Sequence, residues 1–312
     1  MTRSLPIIDL SALSGSDAGL AEVAARIGAA CREVGFFYVV EHGVPKELVA
    51  AAFAQSRRFF ALPLADKEQI AMETVGGNRG YAGLLREALD PARGPDMKEA
   101  FNVGFDLAPD DPELVAQKPF RSLNAWPALP GFRDTLLAYY DACAALGARL
   151  HKAFARDLGL LPDYFADKFD RPMATLRLLH YPPAGEEVGA GAHTDYGNLT
   201  LLATDDVGGL EVRTRAGRWI EAPALSGAFV VNIGDCLMRW TNDVYVSTPH
   251  RVVNRSGRER YSIAFFYDPN PDAEVAVITS CVASTERARY APVLAADYLK
   301  FRLDASKPEA PT

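Results

Sequence analysis

Three residues with metal-binding side chains stand out in the C-terminal half of the chain. His193 and Asp195 are two positions apart, so on an extended strand they would share one face. His250 follows Asp195 by 55 residues and is the obvious third ligand. Two imidazoles and one carboxylate form a facial triad with open positions, a ligand set suited to non-haem Fe(II) oxygen chemistry. The alternatives are a surface pair at 193 and 195 and a hydrogen-bonded core histidine at 250.

A second polar pair begins ten residues after His250. Arg260 and Ser262 are also two apart on a segment with strand-like composition, and they offer a planar guanidinium and a hydroxyl to one carboxylate. A dicarboxylate could chelate iron at one end and meet Arg260 at the other, which is the geometry that 2-oxoglutarate needs. The alternative for Arg260 is an ordinary surface arginine.

The other histidines are interpreted as structural. His180 would point away from the face of its neighbour Tyr181, His42 follows a strand, and His151 lies within a helical pattern. The four cysteines are far apart and contain no CxxC motif, which indicates reduced thiols rather than a zinc site or a disulfide framework.

Charge and hydrophobicity exclude several classes of partner. The 312-residue chain has 33 basic and 40 acidic residues and a net charge of −7, which argues against a nucleic-acid partner. No apolar run approaches the ~18 residues of a membrane helix, and no signal peptide is evident. We therefore expect a cytoplasmic protein that acts on a small molecule, whereas the sequence does not predict its oligomeric state.

The elements that must position these residues change in character along the chain. Helical spacing of apolar residues marks the first sixty residues and about 131–158, with a strand at 36–40 between helices. Residues 76–97 are rich in Gly, Pro and Asp and predict a loop. From 173 the apolar period falls to two, and turn residues separate strands at 176–181, 199–203, 229–233 and 261–267. Such strands indicate a β-sandwich or barrel, and a last helix is expected at about 291–303.

The combination of these motifs resembles one family over most of the chain. It is similar to the isopenicillin N synthase-like branch of the Fe(II)/2-oxoglutarate-dependent dioxygenases. Besides HxD, the distant histidine and RxS, the matching segments are 5–10 (LPIIDL), 35–39 (GFFYV), 42–44 (HGV), 79–81 (RGY), 98–101 (KEAF), 178–183 (LLHYPP), 193–197 (HTDYG), 199–200 (LT), 232–235 (NIGD), 241–242 (TN), 250–252 (HRV) and 260–262 (RYS).

The resemblance implies an α+β fold with a mainly β core, a double-stranded β-helix (jelly roll) with a helical N-terminal region and a C-terminal helix. The expected divisions are an N-terminal dioxygenase region at 1–120, a jelly-roll core at 171–270, and helical extensions at 121–170 and 271–312.

The resemblance also implies particular site residues. Iron would be bound by His193, Asp195 and His250, and 2-oxoglutarate by Arg260, Ser262 and Tyr181. Leu179 replaces an asparagine that many plant members carry, so Arg177, on the same strand face as Tyr181, is a candidate substitute. Asp243 stands where glycine commonly follows Thr-Asn. Phe266, on the face of Arg260, is assigned equally to the wall of a substrate pocket and to core packing.

The implied activity is that of an oxidoreductase, a dioxygenase that uses Fe(II), 2-oxoglutarate and O2 to oxidise a small organic substrate, usually by hydroxylation, with release of succinate and CO2. Desaturation and ring closure are the family's other outcomes. Three alternatives stay open. They are an iron oxidase of the same branch that needs no 2-oxoglutarate, a non-catalytic sensor on the same fold, and a metal-dependent hydrolase or isomerase on a jelly roll.

Overall fold

The computed structural model describes residues 4–90, 94–183 and 188–305, and within it two β-sheets face each other. The strands are β1 (Ile7–Asp9), β2 (Phe36–Val40), β3 (Gly80–Ala82), β4 (Glu99–Gly104), β5 (Thr175–Tyr181), β6 (Val188–His193), β7 (Leu199–Thr204), β8 (Leu210–Arg213), β9 (Trp219–Ala222), β10 (Phe229–Ile233), β11 (His250–Val253), β12 (Arg260–Tyr267), β13 (Glu274–Val275) and β14 (Val293–Leu294). The larger sheet has the order β1-β2-β10-β7-β12-β5-β4-β3, and the smaller has the order β6-β11-β8-β9.

Helices pack against the larger sheet. The eight α-helices in the described residues are α1 (Asp17–Glu33), α2 (Lys46–Phe60), α3 (Leu64–Glu68), α4 (Met72–Val75), α5 (Pro112–Val115), α6 (Phe132–Asp157), α7 (Asp235–Trp240) and α8 (Ala295–Ala305). Among them, α1, α2 and α6 form most of this layer. The long helix α6 buries Leu136, Cys143 and Leu150 at helical spacing, and it lies so close to β12 that a Cβ on Gly147 would be 2.5 Å from the Tyr267 ring. Burial of this apolar stripe, at roughly 25 cal/mol per Å², attaches the helical layer to the sheet.

A second, smaller core lies between the two sheets. Its members come from the inner face of the larger sheet, for example Tyr181, Leu179 and Ala264, and from the smaller sheet, for example Val212 and Val252. The two facing sheets form the jelly-roll core, with strands of the larger sheet on one side of the interior and β6, β11, β8 and β9 on the other. This interior also contains buried polar side chains, among them Arg260 and Ser262.

The N-terminal residues extend the core sheet. Strands β1 to β4 all belong to the larger sheet, in which β2 pairs with β10 and β4 pairs with β5. Segments from both predicted divisions, 1–120 and 171–270, therefore contribute to one sheet, and the boundaries between divisions stay a prediction.

The predicted elements agree with the structure where the periodicity is strong. The helix expected at 131–158 and the four core strands are present, and the last helix begins at Ala295 after the short strand β14. The loop expected at 76–97 contains β3, while residues 91–93 lie outside the described residues, as do 1–3, 184–187 and 306–312. No helix in the described ranges has the length and apolar character needed to cross a membrane.

Candidate metal and cosubstrate site

Two paired strands of the smaller sheet bring His193 and His250 together. In the antiparallel pairing of β6 with β11, His193 lies directly opposite His250, and the ring centroids are 4.3 Å apart. Asp195 lies two residues beyond the end of β6, so it reaches the site from the following turn and does not share a strand face with His193. The Nε2 atom of each histidine is 3.7 Å from Asp195 Oδ1, and the three candidate ligand atoms lie within 4.8 Å of one another.

Hydrogen bonds orient all three side chains so that one atom of each is left for a ligand. His193 Nδ1 is 2.7 Å from the Gly191 carbonyl, and His250 Nδ1 is 3.2 Å from the Thr248 carbonyl. A carbonyl oxygen only accepts, so each Nδ1 carries the proton and each Nε2 presents a lone pair.

The Asp195 carboxylate is oriented in the same way. Its Oδ2 accepts hydrogen bonds from Thr200 Oγ1 at 2.5 Å and Asn232 Nδ2 at 2.6 Å, so Oδ1 is directed toward the two histidines. Thr200 and Asn232 lie in segments that match the family, but the sequence alone predicts no role for them. The signal that could have identified them is a polar residue on the inward face of an otherwise apolar buried strand, as in LTLLA and FVVNI.

The electrostatics favour the protonation states that bind a metal. Burial raises the pKa of Asp195, but the charges of His250 and His193 and the bonds from Asn232 and Thr200 outweigh burial, and the pKa lies below its usual value. Burial, followed by the charge of His250, lowers the pKa of His193. A carboxylate and a neutral imidazole are the forms that coordinate metals.

Arg260 lies on the opposite wall, at the start of β12. Its side chain is almost fully buried, with 1% of the residue exposed. Nε donates to the Gly208 carbonyl at 3.0 Å, Nη1 donates to Ser262 Oγ at 3.2 Å, and the guanidinium lies 4.7 Å above the Tyr181 ring. Among the described residues, no carboxylate lies within 4.0 Å of this guanidinium, although an unpaired buried charge costs several kcal/mol. Asp205 interacts with this charge from beyond that distance, and an anionic ligand would supply a direct partner.

Tyr181 connects the wall that contains Arg260 to the wall that contains the histidines. It pairs with Arg260 across β5 and β12, and its ring lies over Gly189 of β6, where a Cβ would be only 2.7 Å from the ring. The three residues predicted to bind 2-oxoglutarate, Arg260, Ser262 and Tyr181, are therefore adjacent in the structure. They lie in the same jelly-roll interior as the three metal-ligand candidates.

Arg177, the candidate substitute for the asparagine missing at 179, has an ionic partner of its own. It donates through Nη2 to Glu87 Oε2, and Lys98 lies 3.3 Å from the same oxygen. Lys98 also pairs with Asp96. Leu179 packs in the core between the sheets, and Phe266 packs against that core.

The three remaining histidines lie in hydrogen-bonded structural environments. His180 faces the helical side of the sheet, donates from Nδ1 to Glu99 Oε1 at 2.8 Å and stacks on Tyr261. His151 is buried in α6 and bonded at both nitrogens, and burial lowers its pKa to about 4. His42 accepts from the Val44 amide and lies 3.2 Å from the Gly227 carbonyl.

The fold and the geometry of the site fit a jelly-roll metalloenzyme of the non-haem iron type, and comparison with known proteins gives its family. Residues 5–129 match the N-terminal region of the non-haem dioxygenases in morphine synthesis, and residues 172–269 match the 2OG-Fe(II) oxygenase superfamily. The chain belongs to the 2OG-Fe(II) oxygenase superfamily, consistent with the isopenicillin N synthase-like branch. It is an Fe(II)- and 2-oxoglutarate-dependent oxidoreductase that uses O2.

Individual relatives cover nearly the whole chain. The 2-oxoglutarate-Fe(II) type oxidoreductase hxnY of Emericella nidulans is 37% identical over 95% of this chain and 88% of its own length. Homoarginine-6-hydroxylase 2-ODD-233 of Oryza sativa subsp. japonica is 37% identical over 95% of each chain. A full-length Neurospora crassa protein, crystallised in complex with alpha-KG (2-oxoglutarate) and thymine, superimposes with a TM-score of 0.87 at 33% identity, covering 97% of both chains.

Proposed function

We propose that His193, Asp195 and His250 hold the Fe(II), and that Arg260, Ser262 and Tyr181 bind 2-oxoglutarate. The observation that carries the metal assignment is the convergence of three candidate ligand atoms, Nε2 of each histidine and Oδ1 of Asp195. The other polar atom of each side chain, Nδ1 or Oδ2, is already engaged in hydrogen bonds. Two imidazoles and one carboxylate leave positions open for exogenous ligands, which fits the requirement of the family for a cosubstrate and O2.

The carboxylate of 2-oxoglutarate remote from the iron would meet the Arg260 guanidinium. Two of the five guanidinium N–H groups are used by Gly208 and Ser262, so donors remain for a forked contact with a carboxylate. The attraction is strong because burial of the Arg260 guanidinium limits screening by solvent. Tyr181 would hold the guanidinium in place through its ring face.

When bound, iron with 2-oxoglutarate and O2 supplies the oxidising chemistry, and succinate and CO2 are released. The protein residues bind and orient the reactants. Thr200 and Asn232 fix Asp195 Oδ2, so that carboxylate orientation is set before any ligand arrives. The apolar residues between the sheets limit access of water to the reacting centre.

The primary substrate in this proposal is a small organic molecule, and hydroxylation is its fate. The inner face of the larger sheet carries small side chains at Ala82, Ala100 and Ala264, which limit the bulk of that wall. The Neurospora crassa protein is seen with thymine, and the rice relative is named for homoarginine hydroxylation, both small molecules. We place the enzyme in the cytoplasm, which fits its four unpaired cysteines.

The assignment is tested by changing each ligand candidate to alanine. His193→Ala, Asp195→Ala and His250→Ala proteins should each lose stoichiometric Fe(II) and 2-oxoglutarate-dependent succinate formation, measured by metal analysis after desalting and by mass spectrometry. Asp206→Asn is the matched control, because Asp206 is exposed and pairs with Arg258 at the surface. Full iron retention and turnover in any of the three alanine variants would contradict the triad.

A further inference from the structure

The C-terminal helix α8 is connected to the turn that carries Asp195. Arg302 of α8 donates through Nη1 to Asp235 Oδ2, and Thr194 Oγ1 donates to the same oxygen at 2.9 Å. The Arg302 guanidinium also lies 4.6 Å above the Tyr196 ring. Arg302 therefore contacts Tyr196 directly and Thr194 through Asp235, and these are the two residues that flank Asp195 in the chain.

The backbone reinforces the same connection. The Asp235 amide donates to the Asp195 carbonyl at 2.8 Å, and the next amide, that of Cys236, donates to the Gly197 carbonyl at 2.9 Å. A Cβ on Gly234 would lie 2.2 Å from the Gly197 carbonyl oxygen, so the two segments are in direct backbone contact. Asp235 is therefore fixed against the turn, and its own carboxylate is buried, with 5% of the side chain exposed.

A buried carboxylate needs a countercharge, and for Asp235 Arg302 supplies it. Arg302 is three-quarters buried, and its position is defined further by a hydrogen bond to Tyr298 Oη at 3.2 Å. Removing one partner of such a pair leaves an uncompensated charge beside the turn. Asp195 has no strand pairing of its own to hold it, since β6 ends at His193.

We propose that Arg302 is a positioning residue for the metal centre, acting through Asp235 on the turn 194–196. The proposal rests on the proposed function, because it requires Asp195 to be an iron ligand. It makes the C-terminal helix part of the scaffold of the metal site. Arg302 touches neither the metal ligands nor the residues assigned to 2-oxoglutarate, so it should affect iron affinity and not the affinity for the cosubstrate.

The test compares Arg302→Ala, Arg302→Lys and a control on the same helix, Lys300→Ala, whose side chain is 69% exposed. We expect Arg302→Ala to weaken Fe(II) binding about 10- to 100-fold, the usual effect of losing a residue that orients a ligand. The Michaelis constant for 2-oxoglutarate at saturating iron should stay within twofold. Arg302→Lys should restore part of the iron affinity, and Lys300→Ala should match the wild type.

A metal-free measurement gives an independent readout. Hydrogen exchange in the protein without iron should be faster at 194–197 in Arg302→Ala, with exchange across 140–155 of α6 unchanged. If iron affinity and exchange at 194–197 in Arg302→Ala equal those of Lys300→Ala, the inference is wrong.

The inference is also wrong if iron affinity and melting temperature fall, the Michaelis constant for 2-oxoglutarate rises with them, and lysine restores none of the three, since Arg302 would then serve general packing. Loss of iron binding by the wild-type protein itself would instead contradict the proposed function.

Discussion

Arg260 gives the most quantitative prediction, because its buried guanidinium has hydrogen-bond partners but no carboxylate close to it. The guanidinium is buried, has hydrogen bonds to one carbonyl and one hydroxyl, and has no carboxylate within 4.0 Å among the described residues. A single charge-assisted hydrogen bond contributes about 1.5–3 kcal/mol, and a forked contact engages two. Arg260→Ala should therefore cost about 3 kcal/mol of 2-oxoglutarate binding, or about 100-fold in Kd.

The assay is calorimetric titration of 2-oxoglutarate into the Fe(II)-loaded protein without oxygen. Arg260→Lys should be intermediate, because an ammonium keeps the charge and loses the planar fork. Arg258→Ala is the matched control, since Arg258 is two residues away, 57% exposed and paired with Asp206. Iron affinity should be unchanged in all three variants. A Kd for Arg260→Ala within threefold of that for Arg258→Ala would refute the cosubstrate role.

Three further predictions concern residues around the site. Asn232→Ala, which removes one donor to Asp195 Oδ2, should weaken Fe(II) binding about 10-fold, and unaltered affinity would contradict the orienting role. Gly189→Ala should raise the Michaelis constant for 2-oxoglutarate by displacing the Tyr181 ring, and an unchanged value would exclude Tyr181 from binding. Burial raises the pKa of Asp268 to about 7, so its stabilising contribution is full below about pH 4 and is lost as pH rises through 7. The variant Asp268→Asn lacks this titration, so its free energy of unfolding minus that of the wild type should be about 2–4 kcal/mol larger at pH 8 than at pH 4. Urea denaturation at the two pH values measures this difference, and a difference that does not change with pH would contradict the prediction.

The sequence predicts candidate site residues that the structure brings close together, but it does not predict every strand that carries them. The sequence does not predict strand β6, because VGAGAH contains one β-branched residue, no aromatic residue and two glycines. The structure explains both glycines. A Cβ at Gly189 would meet the Tyr181 ring, and one at Gly191 would lie 2.6 Å from the Asp90 Cβ. Tertiary contacts, which periodicity does not encode, select glycine here.

Strand β4 is not predicted from the sequence for a different reason. All six of its residues are buried, yet Glu99 and Asn102 are polar, which obscures the apolar pattern. The Glu99 carboxylate accepts from Lys67 Nζ at 2.8 Å and Tyr81 Oη at 2.6 Å, partners that are distant in sequence. Polar burial of this kind is recognisable only once the partners are known.

The Asp243 variation has a local explanation. Its φ is +66°, in the left-handed region where glycine is most common and aspartate is among the better tolerated alternatives. Its carboxylate accepts from Arg289 Nη1 and Tyr290 Oη, which helps to hold the turn. The sequence alone shows that Asp243 is unusual at this position. The backbone angle explains why glycine is common there.

The most direct test of the central claim is anaerobic absorption spectroscopy of the chelate that Fe(II) and 2-oxoglutarate form in the site. Fe(II) is added to metal-free protein, and 2-oxoglutarate is then titrated while the visible charge-transfer band is followed. We predict a saturable band in the wild-type protein and in Asp206→Asn, and no band in Asp195→Ala or His250→Ala. A band of wild-type intensity and affinity in either alanine variant would contradict the assignment of His193, Asp195 and His250 as the iron ligands.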